Sequence, residues 1–165
     1  MKKLIVIALV VVMALSIAAF AACGPSGEVE GEYKYVSPYD ATGASYYGVK
    51  VTVTVKNGVI TEVKLADDTA TLFNVSASWD KKATWLDGQA AFVESFVGLS
   101  VDEVKAIKVT CDAETVGSGW SYTAVKGQPT KVEGAPSSLK VVTGATQSSG
   151  RVILAVQDAL SKLGK

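Results

Sequence analysis

The chain has 165 residues, 16 basic and 16 acidic, and no histidine. Lack of histidine excludes a Ser-His-Asp or Cys-His hydrolase and any His-ligated zinc or haem site. So even a charge balance offers no concentrated basic patch of the kind nucleic acid requires. The length suits one domain of roughly 100–150 residues with a core of its own.

The N-terminus reads as a targeting segment. Lys2 and Lys3 precede an apolar run from Leu4 to Phe20 that only Ser16 interrupts, and Phe20-Ala21-Ala22-Cys23 follows. Small residues directly before a cysteine resemble the lipobox of bacterial lipoproteins, with Phe20 where leucine is usual. On this reading residues 1–22 are a lipoprotein signal peptide. Cys23 is then lipidated, and the domain sits outside the cytoplasmic membrane, anchored to it. An uncleaved membrane anchor is the alternative. Cleavage removes Lys2 and Lys3, leaving 143 residues with 14 basic and 16 acidic side chains. Cys111 is then the only thiol besides Cys23. No internal disulfide is expected, and Cys111 is read as a small buried hydrophobe.

Residues 24–31, Gly-Pro-Ser-Gly-Glu-Val-Glu-Gly, read with Cys23 as a 23–31 tether. Glu32 to Val36 alternates and predicts the first strand, and residues 37–45 predict a loop. Val49, Val51, Val53 and Val55 alternate with Lys50, Thr52, Thr54 and Lys56, the pattern of a half-buried strand. Asn57-Gly58 is a preferred type I′ hairpin turn. On the return strand Val59, Thr61, Val63 and Leu65 alternate with Ile60, Glu62 and Lys64.

Trp79 to Val97 predicts a helix with Trp85, Ala90, Phe92, Val93, Phe96 and Val97 on a buried stripe and Gly98 as its C-terminal cap. Ser100-Val101-Asp102-Glu103 has capping-box spacing before a short helix. Lys108–Cys111 and Trp120–Lys126 predict strands separated by a Gly117-Ser118-Gly119 loop, and residues 126–138 read as irregular. Val141-Val142 suggests a strand end and Thr143 to Gly150 a small-residue turn. From Arg151 onward Val152, Val156, Ala159, Leu160 and Leu163 recur at helical spacing. The fold class is therefore α+β: a small, mostly antiparallel sheet with flanking helices and a C-terminal helix after the Thr-Gly-Ala-Thr turn.

That turn is where the sequence points to chemistry. A hydroxyl-rich turn at a helix start offers backbone N–H groups and the positive helix pole to an anion. Thr146 has only Gly144 and Ala145 beside it to obstruct approach. The plainer reading is a helix N-cap hydroxyl, and the two are compatible.

Three blocks resemble the FMN-binding domain found in the sodium-pumping NADH:quinone oxidoreductase, in the Rnf complex, and in many bacterial surface lipoproteins. The first is Gly31-Glu32-Tyr33 with the hairpin from Val51 to Val63. The second is Trp85-Leu86-Asp87-Gly88-Gln89-Ala90-Ala91-Phe92 with Phe96-Val97-Gly98-Leu99-Ser100-Val101-Asp102-Glu103-Val104. The third is Thr143-Gly144-Ala145-Thr146 followed by Ser148 and the terminal helix.

The resemblance implies an FMN-binding domain over 32–165. A flavin transferase would join FMN through its phosphate to Thr146. In the same cofactor-binding turn, beside Gly144 and Ala145, the hydroxyls of Thr143, Ser148 and Ser149 either hydrogen-bond the phosphate or ribityl chain or only satisfy turn backbone. It also implies electron transfer between a membrane donor and an extracellular acceptor. Lys140 stands three residues before Thr143, where members modified this way usually carry Asp, so non-covalent FMN is the alternative. A flavin ring needs aromatic or aliphatic walls and a few polar contacts at its edge. Trp79, Trp85, Trp120 and Tyr122 are candidates, with Trp120 preferred. A lipid-anchored binding or scaffold module without cofactor is the competing class.

Overall fold

Val49, Val51, Val53 and Val55 are all but fully buried, while the residues between them stay partly exposed, as their alternation requires. A computed structural model describes residues 24–36, 46–66, 89, 91–117, 121–140 and 146–165. The valines lie on β2 (Tyr46–Lys56), which pairs antiparallel with β1 (Gly27–Val36) and β3 (Val59–Leu65) in the order β1-β2-β3. A short helix α1 (Val101–Ala106) leads into β4 (Lys108–Cys111), which pairs antiparallel with β5 (Pro129–Glu133) as a separate two-stranded sheet. The last element is α2 (Thr146–Lys162). Its Val152, Ile153, Ala155, Val156, Ala159 and Leu160 are buried in one cluster with the β2 valines, Phe92, Phe96 and Val104. Removing each valine-sized side chain from water contributes about 1.5–3 kcal/mol. This one face therefore carries most of the stabilisation. The arrangement is the α+β class expected.

Helix α2 lies close against β1 at Gly31. A Cβ there would strike the Ala155 carbonyl and the Ala159 N–H. Two polar contacts hold the same seam: the Glu32 N–H donates to Asp158 Oδ2 at 2.9 Å, and Lys162 Nζ donates to the Glu30 carbonyl at 2.9 Å. At the other end of the helix a Cβ on Gly150 would sit 2.5 Å from Pro129 Cβ. Glycine lets the first turns of α2 approach β5.

The hairpin turn is as expected, with Asn57 at φ 52° and Gly58 at φ 77°. The capping box is also present. The Glu103 N–H donates to Ser100 Oγ at 3.2 Å, and the Ser100 N–H donates to Glu103 Oε2 at 2.7 Å.

Six expectations need correction. Residues 27–31 are not a tether but the first half of β1, paired with Val51 to Val55. Glycine-rich composition obscured the alternation around Val29. Even the residues before them are held: the Gly58 N–H donates to the Pro25 carbonyl at 2.8 Å, and the Asn57 N–H to Ser26 Oγ at 2.8 Å.

On β3, Thr54 pairs with Glu62 but Val55 pairs with Ile60. Thr61 is thus an extra, bulged residue that re-phases the strand. Ile60 is fully buried and Val59 is 38% exposed, the reverse of simple alternation.

The helix before Gly98 ends at residue 94, and residues 95–98 tighten through bonds such as Ser95 N–H to the Phe92 carbonyl, leaving Val97 exposed. Residues 121–126 form no regular strand, only an isolated bridge between Val116 and Ala124, whereas Pro129–Glu133, expected to be irregular, is β5. Proline at its first position loses no ladder hydrogen bond. Finally, α2 begins at Thr146 rather than near Arg151.

The readings for residues 1–23 and 37–45 lie outside the described residues, as do Trp79 and Trp85.

Candidate functional site

Where β1 and β2 end together, Tyr35 pairs with Tyr47, their ring centroids 5.6 Å apart and tilted by 42°. Aromatic cross-strand pairs of this kind stabilise a sheet end and present a ring surface. The excursion between β4 and β5 folds back over these rings. Asp112 organises it: its N–H donates to the Gln128 carbonyl at 3.0 Å and its carbonyl accepts from the Gly127 N–H at 2.8 Å. Its carboxylate accepts from the Val125 N–H at 3.1 Å. Tyr33 joins the two sheets by donating to the Gly127 carbonyl at 2.6 Å, with Cys111 Sγ 3.5 Å from its hydroxyl. Burial, reinforced by the thiol, pushes the Tyr33 phenol well above its ordinary value, so it stays a neutral donor.

Between these parts lies a cavity of about 390 Å³ lined by Tyr35, Tyr47, Tyr122–Val125, Gln128, Gln147 and Arg151. Arg151 is the one arginine among the 16 basic residues and the only charged residue among the described ones lining the cavity. It is 7% exposed. Its side chain runs back along α2, Nε donating to the Gln147 carbonyl and Nη2 to Ser148 Oγ, each at 3.2 Å. Burial pulls its guanidinium below its ordinary value, and Tyr35 and Tyr47 oppose that shift. Burial pushes the Tyr35 phenol up, with Arg151 pulling the other way. The first turn of α2 contains no acidic side chain. The helix pole and the guanidinium therefore place positive potential on the same end of the cavity.

Thr146 opens α2, and Ser148, two residues in, accepts from Arg151. Thr143, Gly144, Ala145, Trp120 and Cys23 lie outside the described residues. Tyr122, named as a ring wall from sequence, does line the cavity. Sequence reasoning missed Tyr35, Tyr47, Gln128, Gln147 and Arg151. A usable signal was present: the chain's only arginine stands on the last helix, five residues after Thr146. Lys140 is exposed, its backbone N–H donating to Ser95 Oγ at 3.3 Å.

The volume falls within the roughly 300–1,000 Å³ of small-molecule sites. Three tyrosine rings, two amides and a guanidinium suit a flat, carbonyl-rich ring with an anionic tail. The fold and the site thus define an α+β module with a ligand-sized, electropositive cavity at the start of its C-terminal helix. The model of the FMN-binding domain matches residues 46–161, and the chain belongs to that family, with FMN as its cofactor. No match was found among curated proteins or solved structures. Strand β1 precedes the matched span, yet it supplies Tyr35 and the Gly31 contact with α2.

Proposed function

We propose that this flavin-binding protein is a lipid-anchored, extracytoplasmic electron carrier. Its FMN is joined through the phosphate to Thr146 and places its ring in the tyrosine-lined cavity. The observation that carries the reading is the position of the cavity, whose wall includes Gln147 and Arg151 from the first turns of the helix that Thr146 opens. Bound FMN supplies the redox chemistry, and no catalytic dyad is needed beside it. The chain's own residues bind and orient. Tyr35, Tyr47 and Tyr122 offer ring surface, and Gln128 and Gln147 offer donors and acceptors to a heterocycle edge. The residue 121–128 excursion covers one side against water.

The lipobox-like Phe20-Ala21-Ala22-Cys23 run supports a lipid anchor at the opposite end. Gly24 follows it directly, and a Cβ on Gly24 would sit 2.7 Å from the Asn57 carbonyl carbon, so the chain start is packed on the hairpin turn. From Gly27 to Tyr35, β1 spans about 26 Å at ~3.3 Å per residue. The cavity is thus held away from the lipid, facing donors and acceptors outside the membrane.

Co-production with a flavin transferase tests the linkage. Wild-type protein is expected to be yellow and to keep its fluorescence in a denaturing gel, and Thr146→Val to lose it. Colour released from the wild type on denaturation would overturn the covalent link and point to non-covalent FMN, for which the Lys140 substitution is the specific reason. A colourless protein with no FMN affinity would favour the cofactor-free module.

A further inference from the structure

The cavity has one charged wall, and its identity is unusual for this chain. Fifteen of the sixteen basic residues are lysines, and the remaining one, Arg151, is the one buried at the cavity. Burying a guanidinium costs free energy unless its donors are used. Two of those donors are turned onto α2 itself, at the Gln147 carbonyl and Ser148 Oγ, which fixes the planar group in one orientation beside the cavity. A fixed, water-shielded positive charge acts most strongly on a ligand whose charge changes.

Resting on the placement of FMN in this cavity, we infer that Arg151 holds the pyrimidine edge of the isoalloxazine and stabilises the negative charge that edge gains on reduction. Two electrons and one proton taken up at N5 convert the neutral oxidised ring into an anion centred on N1 and the C2 carbonyl. In the test below the electrons come from xanthine, oxidised to urate by xanthine oxidase. Charge near N1 is a known lever on flavin potential. Arg151 therefore raises the midpoint potential above that of free FMN. Tyr35, whose phenol burial pushes up, brings no compensating charge to the guanidinium. Arg151 is thus a potential-setting residue that leaves FMN attachment to Thr146 and the rest of the wall.

The experiment uses the full chain loaded with FMN, titrated with xanthine and xanthine oxidase against a reference dye, for wild type, Arg151→Lys and Arg151→Gln. The potential is expected to fall in Arg151→Gln, with Arg151→Lys between it and wild type, while all three stay yellow. Sulfite gives a second readout that needs no variant. Its sulfur lone pair bonds to N5 and drives negative charge onto the same N1–C2 edge, with no leaving group. Wild type should bind sulfite at least tenfold more tightly than free FMN, and Arg151→Gln should lose that advantage. Unchanged potentials in flavin-loaded variants, or wild-type sulfite affinity no better than that of free FMN, would overturn the inference. So would loss of FMN from Arg151→Gln with no change in potential for the fraction retained, the result expected if the guanidinium grips the phosphate instead. A wild-type protein that carries no flavin at all would overturn the cofactor placement and the inference together.

Discussion

The two ends of the three-stranded sheet are built on opposite principles. At the hairpin end, Asn57-Gly58 closes the chain within two residues, and Pro25 and Ser26 seal the turn from outside. The loop after Gly98 covers β3, its Leu99 carbonyl accepting from the Ile60 N–H at 2.9 Å. Apart from the Ser26 Oγ acceptor, these contacts are short in sequence or backbone to backbone. At the other end the described contacts are made by side chains distant in sequence. Tyr35 and Tyr47 are left to meet Tyr122, Gln128, Gln147 and Arg151, residues gathered from four parts of the chain. The closed end serves stability and the open end leaves room for a ligand. Both depend on α2, which packs on β1 and β2 along its length.

Mutations can separate these roles. The largest effect is expected at the shared seam. Gly31→Val would drive a side chain into the backbone of α2 and cost about 3 kcal/mol or more. Chemical denaturation should show it, with FMN binding weakened as well. At the closed end, Gly58→Val forces a β-branched residue into a left-handed turn at a cost of about 1–2 kcal/mol. Here the denaturation midpoint should fall while flavin affinity stays unchanged. At the open end, Tyr122→Ala, outside the strand pair, should do the reverse, weakening affinity on the order of tenfold in a fluorescence titration with little change in midpoint. If both variants altered both quantities, the separation of roles would fail.

The smallest effect concerns pH. Desolvation acts to raise the Asp158 carboxyl, but Lys162 at 2.7 Å and the Glu32 N–H outweigh it and hold the group below its ordinary value. A carboxylate lowered in the folded state adds stability above the unfolded pKa of about 4 and loses it as pH falls through the folded value. Asp158→Asn should therefore lower stability at neutral pH by under about 1 kcal/mol, given partial exposure. That difference should vanish in denaturation curves measured at the acid end.

What was legible in the sequence follows the same division. Period-two valines, Asn-Gly and the Ser100–Glu103 box each encode their structure within a few residues, and each was found as expected. The α2 stripe was legible too, although helical structure extends back to Thr146, and Gly150 lets its first turns pack on Pro129. Features set by tertiary contact were not. The Thr61 bulge shows only in the register against β2, and Gly27–Gly31 becomes a strand because β2 offers an edge and α2 needs a residue without Cβ. The cavity is the extreme case, because its wall alternates among strand ends, an irregular excursion and one helix turn, none of which has a periodic signature. Of its wall only Tyr122 was named in advance.

The central claim is that the flavin occupies the open end. The most direct measurement is a comparison of backbone amide NMR spectra for flavin-free and FMN-loaded protein. The amides of Tyr35, Tyr47, Tyr122–Val125, Gln128, Gln147 and Arg151 should shift, while those of Ser26, Asn57, Gly58 and Ile60 stay in place. Shifts confined to the hairpin end, or an unperturbed Tyr35–Tyr47–Arg151 cluster in yellow protein, would contradict the account.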